Sequence, residues 1–365
     1  MIRQYLPRST EELIRWYERH VAPFSLLAGF IVDNILFRNI DLLSTTITLA
    51  LYLAVAVGGS FVLNLVESGR VRHRVVLQFS PFLPVVVQFA FGGMFSGFFV
   101  LYSESATIAV SWVSVVVLAF LLVGNERFRK RYQRFSFQVG VLFVVLLGYL
   151  FFLVPFALKR IGPEMFFVSS ALSVVLITGY VFGTRKVMPE LVRTHMPNIA
   201  QSIGLIFLIF SLLYVTNAIP PLPLALKDGG VYHRIQRIGT DYIALHEPEL
   251  WYEEYLPFGQ TFHRAPGENL HAFSAVFAPS GISTKLTHEW QHYNPDTEEW
   301  DTIARVQFPV AGGRDGGYRG YSTTASRLTG KWRVNVLTSY GQVVGRISFT
   351  VVDVPGPVEL EEKTL

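Results

Sequence analysis

Two hydrophobic patterns divide the chain. Up to about residue 225 the apolar residues come in long runs, and beyond it they alternate with polar residues at a period of two. Seven runs, at about 21–38, 42–66, 78–102, 105–123, 136–157, 164–183 and 201–219, each approach the roughly 20 residues that a helix needs to cross a bilayer. Pro81, Pro84 and the Gly92-Gly93 pair interrupt the third and predict a kink, while Asp33 and Asn34 interrupt the first. Residues 1–20 read as an amphipathic lead-in helix on the cytoplasmic membrane surface. Ser9 with Glu12 fits a capping box, and Leu13, Trp16 and Tyr17 share one face.

Pro220, Pro221 and Pro223 end the helical half. The alternating half then predicts strands at about 231–238, 241–246, 270–277, 284–293, 301–309, 317–324, 331–338 and 343–352. Pro279-Ser280-Gly281, Asn294-Pro295-Asp296, the Gly-rich 312–317 and Ser339-Tyr340-Gly341 divide them as turns. Residues 247–269 lack the alternation and read as a loop or short helix. The expected fold is therefore a multi-pass α-helical membrane domain of about seven helices, residues 21–225, followed by an all-β immunoglobulin-like sandwich, residues 226–354, and a disordered tail, 355–365.

Charge orients this arrangement. Arg3, Arg8, Arg15 and Arg19 precede the first run. Arg70, Arg72 and Arg74, then the cluster Arg127 to Arg134, then Arg185, Lys186 and Arg193 fall in every second connection, whereas the alternate ones carry only Arg38, Lys159 and Arg160. The positive-inside rule places the N-terminus in the cytoplasm, and seven crossings place the C-terminal domain outside it, in a cytoplasmic (inner) membrane. No cleavable signal pattern precedes the first run, which reads as an uncleaved anchor. The chain is 51% hydrophobic and 16% charged, as such a membrane protein requires. The C-terminal 140 residues hold 13 Lys+Arg against 17 Asp+Glu, so the basic pI of about 9.2 reflects the membrane loops. Nucleic acid is excluded as a partner, because no basic, aromatic-interleaved patch exists. With no cysteine, disulfides, thiolate metal sites and cysteine nucleophiles are excluded too.

The stretch with the strongest chemical signature is Leu286-Thr287-His288-Glu289-Trp290-Gln291-His292-Tyr293, which contains the zinc-hydrolase pattern H-E-x-x-H. That chemistry needs a helix, where the two His lie one turn apart. Here Leu286, His288, Trp290 and His292 alternate with Thr287, Glu289, Gln291 and Tyr293. As a strand this separates the two histidines by about 13 Å and turns Glu289 to the other face. The strand is the better account, and a zinc hydrolase using His288, Glu289 and His292 is kept as an alternative.

Other candidates are fewer. His233, His246, His263 and His271 join His288 and His292, with Glu247, Glu249 or Glu289 as oxygen donors, in an incidental metal-site alternative. Trp290, Trp300 and Trp332 with Tyr318 and Tyr321 form either sandwich core or an aromatic platform for a sugar or peptide, with His288 beside them. In the membrane half Asp33 and Arg38 are the polar pair near the outer end of the first helix. The sequence holds no Ser-His-Asp order and no glycosidase carboxylate pair, so no catalytic residue and no cofactor is assigned.

The runs LTHEWQHY, FPVAGGRDGGYRGYSTTAS and GKWRVNVLTSYGQVVGRISFTVV resemble the domain-of-unknown-function family numbered 2914. The likeness rests on His288 and Trp290, on Tyr321-Ser322, on Gly330, Trp332 and Val334, and on Phe349 with Val351. The membrane lead with WYERH and GFIVDNILFRNIDLL also looks like membrane members of that family. The resemblance implies a fold and lends no catalytic residues. Besides the bilayer, the expected partner is an envelope carbohydrate or a membrane protein, bound by the sandwich. The alternative outside the β domain is a transporter or membrane enzyme with its site at the outer helix ends.

Overall fold

The computed structural model describes residues 42–105, 116–117, 120–121, 134–219, 224–239, 241–248, 260–278, 283–311 and 318–365. These form two compact units, one helical and one of β-structure centred on Asn217–Leu365.

The helical unit contains α1 (Leu42–Glu67), α2 (Arg74–Phe79), a short 3-10 turn (Ser80–Phe82), α3 (Leu83–Ser105), α4 (Phe135–Leu158), α5 (Pro163–Val187) and α6 (Pro189–Val215). Five helical stretches among the described residues are long and apolar enough to cross a membrane, where seven were expected. The expected run 21–38 and most of 105–123 lie outside the described residues, as do the lead-in helix 1–20, Asp33 and Arg38. Pro81 sits in the 3-10 turn that offsets α2 from α3. Gly93 lets α3 approach α1, since a Cβ there would lie 2.6 Å from the Tyr52 ring.

The last long helix differs from the bounds expected for the seventh span, 201–219. Hydropathy assigned the polar stretch around Glu190, Arg193 and Thr194 to a loop, yet Pro189 opens a continuous helix through it. Only Met188 separates α5 from α6. The two run antiparallel, with the Phe166 and Tyr214 rings stacked at 3.9 Å.

The β unit has eleven described strands: β1 (Ala225–Tyr232), β2 (Arg234–Ile238), β3 (Asp241–His246), β4 (Gln260–Arg264), β5 (Leu270–Phe277), β6 (Ser283–Asn294), β7 (Glu299–Ala311), β8 (Tyr318–Thr324), β9 (Gly330–Thr338), β10 (Val343–Asp353) and β11 (Glu361–Thr364). They make three sheets, ordered β4-β10-β9-β6-β7, β1-β5-β8 and β11-β3-β2. Pairings are antiparallel except β10 with β4. The five- and three-stranded sheets face each other across a core of Val231, Phe262, Leu270, Ala272, Trp290, Trp332, Val334, Ile347, Phe349 and Val351. A second core joins Tyr232, Phe273 and Ala275 to Ile235, Tyr242 and Ala244 of the third sheet. Alternate residues of β5 enter different cores, so this strand is buried on both faces, as an interior layer requires.

The all-β character stands, but the expected two-sheet arrangement becomes three sheets. The third sheet arises because the expected strand 231–238 breaks at His233 into β1 and β2, which belong to different sheets. Two further strands lie where no alternation was legible. β4 falls inside 247–269, and β11 falls inside the tail expected to be disordered. β11 pairs with β3, the Leu365 amide donates to the Tyr242 carbonyl, and the Leu365 side chain joins the second core.

Candidate functional site

His288 occupies the middle of β6 and points between the two facing sheets. Its Nε2 lies 2.7 Å from Ser274 Oγ of β5, and its Nδ1 lies 2.8 Å from Ser322 Oγ of β8. Ser322 Oγ also accepts the Trp290 Nε1–H at 2.9 Å. All four residues are buried, so every polar atom of the ring and the indole finds a partner without water. Burial holds the imidazole neutral and lowers its pKa to about 4. The Ser274–His288 contact has the reach of a nucleophile and base, but no carboxylate orients the ring and neither group reaches solvent. The network is a buried tie between sheets.

The opposite face of the same strand is built differently. Glu289 lies opposite Arg305 of β7 and Asn335 of β9, and Asn335 lies opposite Arg346 of β10. Glu289 Oε1 accepts from Arg305 Nε and Nη2 at 2.9 and 2.6 Å, and its Oε2 accepts from Asn335 Nδ2 at 3.2 Å. Asn335 Oδ1 accepts from Arg346 Nε at 2.7 Å. Two residues along, on the same face, Gln291 Oε1 accepts from Arg333 Nε at 2.7 Å and from Asn335 Nδ2 at 3.1 Å, while Gln291 Nε2 donates to Thr302 Oγ1 at 3.2 Å. The Arg333 guanidinium then lies over the Trp300 ring, 4.1 Å from its centroid. Burial, and then the nearby Arg346 charge, bring Arg333 down to about 10, so it remains a cation at neutral pH.

A third cluster links the layers. His233, between β1 and β2, has Nδ1 2.8 Å from Glu268 Oε1 and Nε2 3.3 Å from Glu247 Oε1. The other Glu247 oxygen lies 2.6 Å from His263 Nδ1. Among the described residues no group of three or more His, Cys, Asp or Glu is placed to hold a metal ion.

The aromatic candidates do not share a surface. Trp290 and Trp332 meet edge to face at 6.4 Å inside the core, where no ligand reaches them. Trp300 lies on the outer sheet face, between Arg333 and Tyr293. Tyr318 packs on a second patch of sandwich core, and Tyr321 is exposed on β8 against Tyr242. His288 and His292 stand on one strand, with His292 Nε2 2.7 Å from the Thr329 carbonyl, and Glu289 points to the other face. The helix that zinc-hydrolase chemistry needs is a strand here.

Sequence reading missed Arg305, Arg333, Arg346, Gln291 and Asn335. The available signal was their alternation with core residues on adjacent strands: Lys331, Arg333 and Asn335 between Trp332, Val334 and Val336.

Comparison with known proteins adds one assignment. No curated relative matches the chain. Among solved structures, the Pseudomonas fluorescens alkylpurine DNA glycosylase AlkC bound to DNA containing an abasic site analog aligns at 11% identity. The alignment spans 90% of this chain and 97% of that one, with a TM-score of 0.22, too low to relate the two folds. Residues 283–351, the stretch carrying β6 to β10 and both faces just described, match the family described as "Protein of unknown function (DUF2914)".

Proposed function

We propose that this is an integral protein of the cytoplasmic membrane whose helices anchor the β unit outside the cytoplasm. There the two facing sheets, an immunoglobulin-like sandwich, serve as a binding module for an envelope carbohydrate or protein partner. The reading rests on the outer face of the five-stranded sheet. Across four strands its polar side chains are fixed by mutual hydrogen bonds, yet two guanidiniums keep donors that no described residue takes. Fixed polar groups on rigid strands lose little entropy on binding, which is how a binding surface is built. The helices' length and composition, and the alternation of basic connections, support the membrane placement.

The test uses the full-length protein in lipid nanodiscs, incubated with purified peptidoglycan sacculi and with solubilised envelope proteins. Retention of the native chain, lost in Ser348→Trp, is expected. Ser348 is exposed on β10, directly opposite Arg333. Unchanged retention in that variant removes the face from consideration. A periplasmic-active reporter joined after Leu365 checks the sidedness, and activity confined to the cytoplasm would refute it.

A further inference from the structure

The ligand chemistry can be narrowed further, on the premise that the outer face of the five-stranded sheet is the binding surface. Arg333 on β9 and Arg346 on β10 are diagonal neighbours on that face, because Asn335 stands opposite Arg346 and Ser348 opposite Arg333. Each spends its Nε–H on an amide oxygen, of Gln291 and Asn335 respectively. Those bonds, with the Trp300 ring under Arg333, fix where the two forks lie. No partner among the described residues takes the four Nη groups. Arg305 differs, since its guanidinium is neutralised by Glu289. Lys331 adds a further cation at the same end of β9, against Tyr293.

This charge stands out from its surroundings, because the C-terminal 140 residues as a whole carry more acids than bases. A general attraction to polyanions is therefore not built into the domain, whereas a local one is. The apolar content of the face decides between partner classes. Protein interfaces depend on buried apolar and aromatic anchors. The described residues of this sheet expose only two large apolar side chains, Ile303 and Val352. What the face offers instead is the amide of Gln291 and the hydroxyls of Thr302, Ser348 and Thr350 around two forked cations, held in place from below by the buried Asn335. Such a surface suits the hydroxyls and oxyanions of a polysaccharide. We infer that Arg333 and Arg346 together take the oxyanion group, carboxylate or phosphate, of an anionic glycan, with Trp300, Gln291 and Asn335 as positioning residues.

The experiment titrates the full-length protein in nanodiscs with polygalacturonate, polyphosphate and neutral dextran, the first two separating carboxylate from phosphate. Binding of at least one polyanion and not of dextran is expected. Arg333→Gln and Arg346→Gln should each weaken it by about tenfold or more. Arg346→Lys should recover less than half of that loss on a logarithmic scale, because the charge returns without the fork. Lys285→Gln, on the same sheet about 20 Å along β6 from Gln291, should change it less than about twofold. Equal losses in Lys285→Gln and Arg346→Gln would mean diffuse charge and overturn the inference. If no polyanion binds while sacculi or envelope proteins are still retained, and Ser348→Trp abolishes that retention, the oxyanion site is refuted and the binding surface stands. If Ser348→Trp changes no binding of any kind, the surface falls with it.

Discussion

At the residue scale the β unit depends on single atoms in a dry interior. Ser322 Oγ serves both His288 and Trp290. Ser322→Ala strips a partner from two buried nitrogens, and should destabilise the protein by about 1–3 kcal/mol in denaturant unfolding. Trp290→Ala opens a large cavity and should cost roughly 3–5 kcal/mol. Trp300→Ala, on the outer face, should cost about 1 kcal/mol or less. His288 also makes stability depend on pH. It stays neutral in the fold down to about pH 4, whereas in the unfolded chain it takes up a proton near its ordinary value of 6.5. Between those values the unfolded state binds the extra proton. The contribution is therefore complete above about pH 6.5 and is lost as the pH falls towards 4, by roughly 3 kcal/mol in all. Unfolding measured at pH 4.5 and pH 7 should show this slope, and His288→Gln should flatten it even though the variant is less stable throughout.

At the element scale β6 was the strand whose pattern said most. Its alternation is strict from Leu286 to Tyr293, and the structure places each of these residues on the face that the pattern implies. β4 and β11 were not legible, for a local reason. Gln260–Arg264 and Glu361–Thr364 carry few apolar residues, because they lie at sheet edges and gain their order from a partner strand. β11 holds the edge of the third sheet. Removing residues 361–365 should leave the protein folded but should raise hydrogen exchange at the β3 residues 243–246 by tenfold or more, since their pairing strand and the Leu365 contact go together. Unchanged protection there would show that β11 contributes nothing to the sheet.

For the whole molecule, the proposed membrane placement gives the helical and β units different solvents. The helices bury two amides against each other: Asn64 Nδ2 of α1 donates to Gln138 Oε1 of α4 at 2.6 Å, and both side chains are enclosed. Asn64→Leu should therefore lower the unfolding temperature of the nanodisc-held protein more than the double replacement Asn64→Leu with Gln138→Leu, which leaves neither group unpaired. Equal effects would mean that the pair is not coupled. The β unit places apolar atoms between its layers and polar atoms outside them, which is the arrangement of a domain surrounded by water.

Periodicity is a local property, so the chain by itself determined the division into apolar helices and alternating strands, the strand nature of the H-E-x-x-H stretch, and the separation of Glu289 from His288. The partners were decided elsewhere. Ser274 and Ser322 lie 14 and 34 residues from His288, and Arg333 reaches across β6 to a tryptophan 33 positions earlier. Such contacts exist only once strand order and layer stacking are set, and these follow from the summed burial of a whole core. The same distinction reassigns the tryptophans. Sequence shows three rings on strands, and tertiary structure encloses two of them and lays an arginine over the third, because a ring's use depends on what lies across the sheet from it.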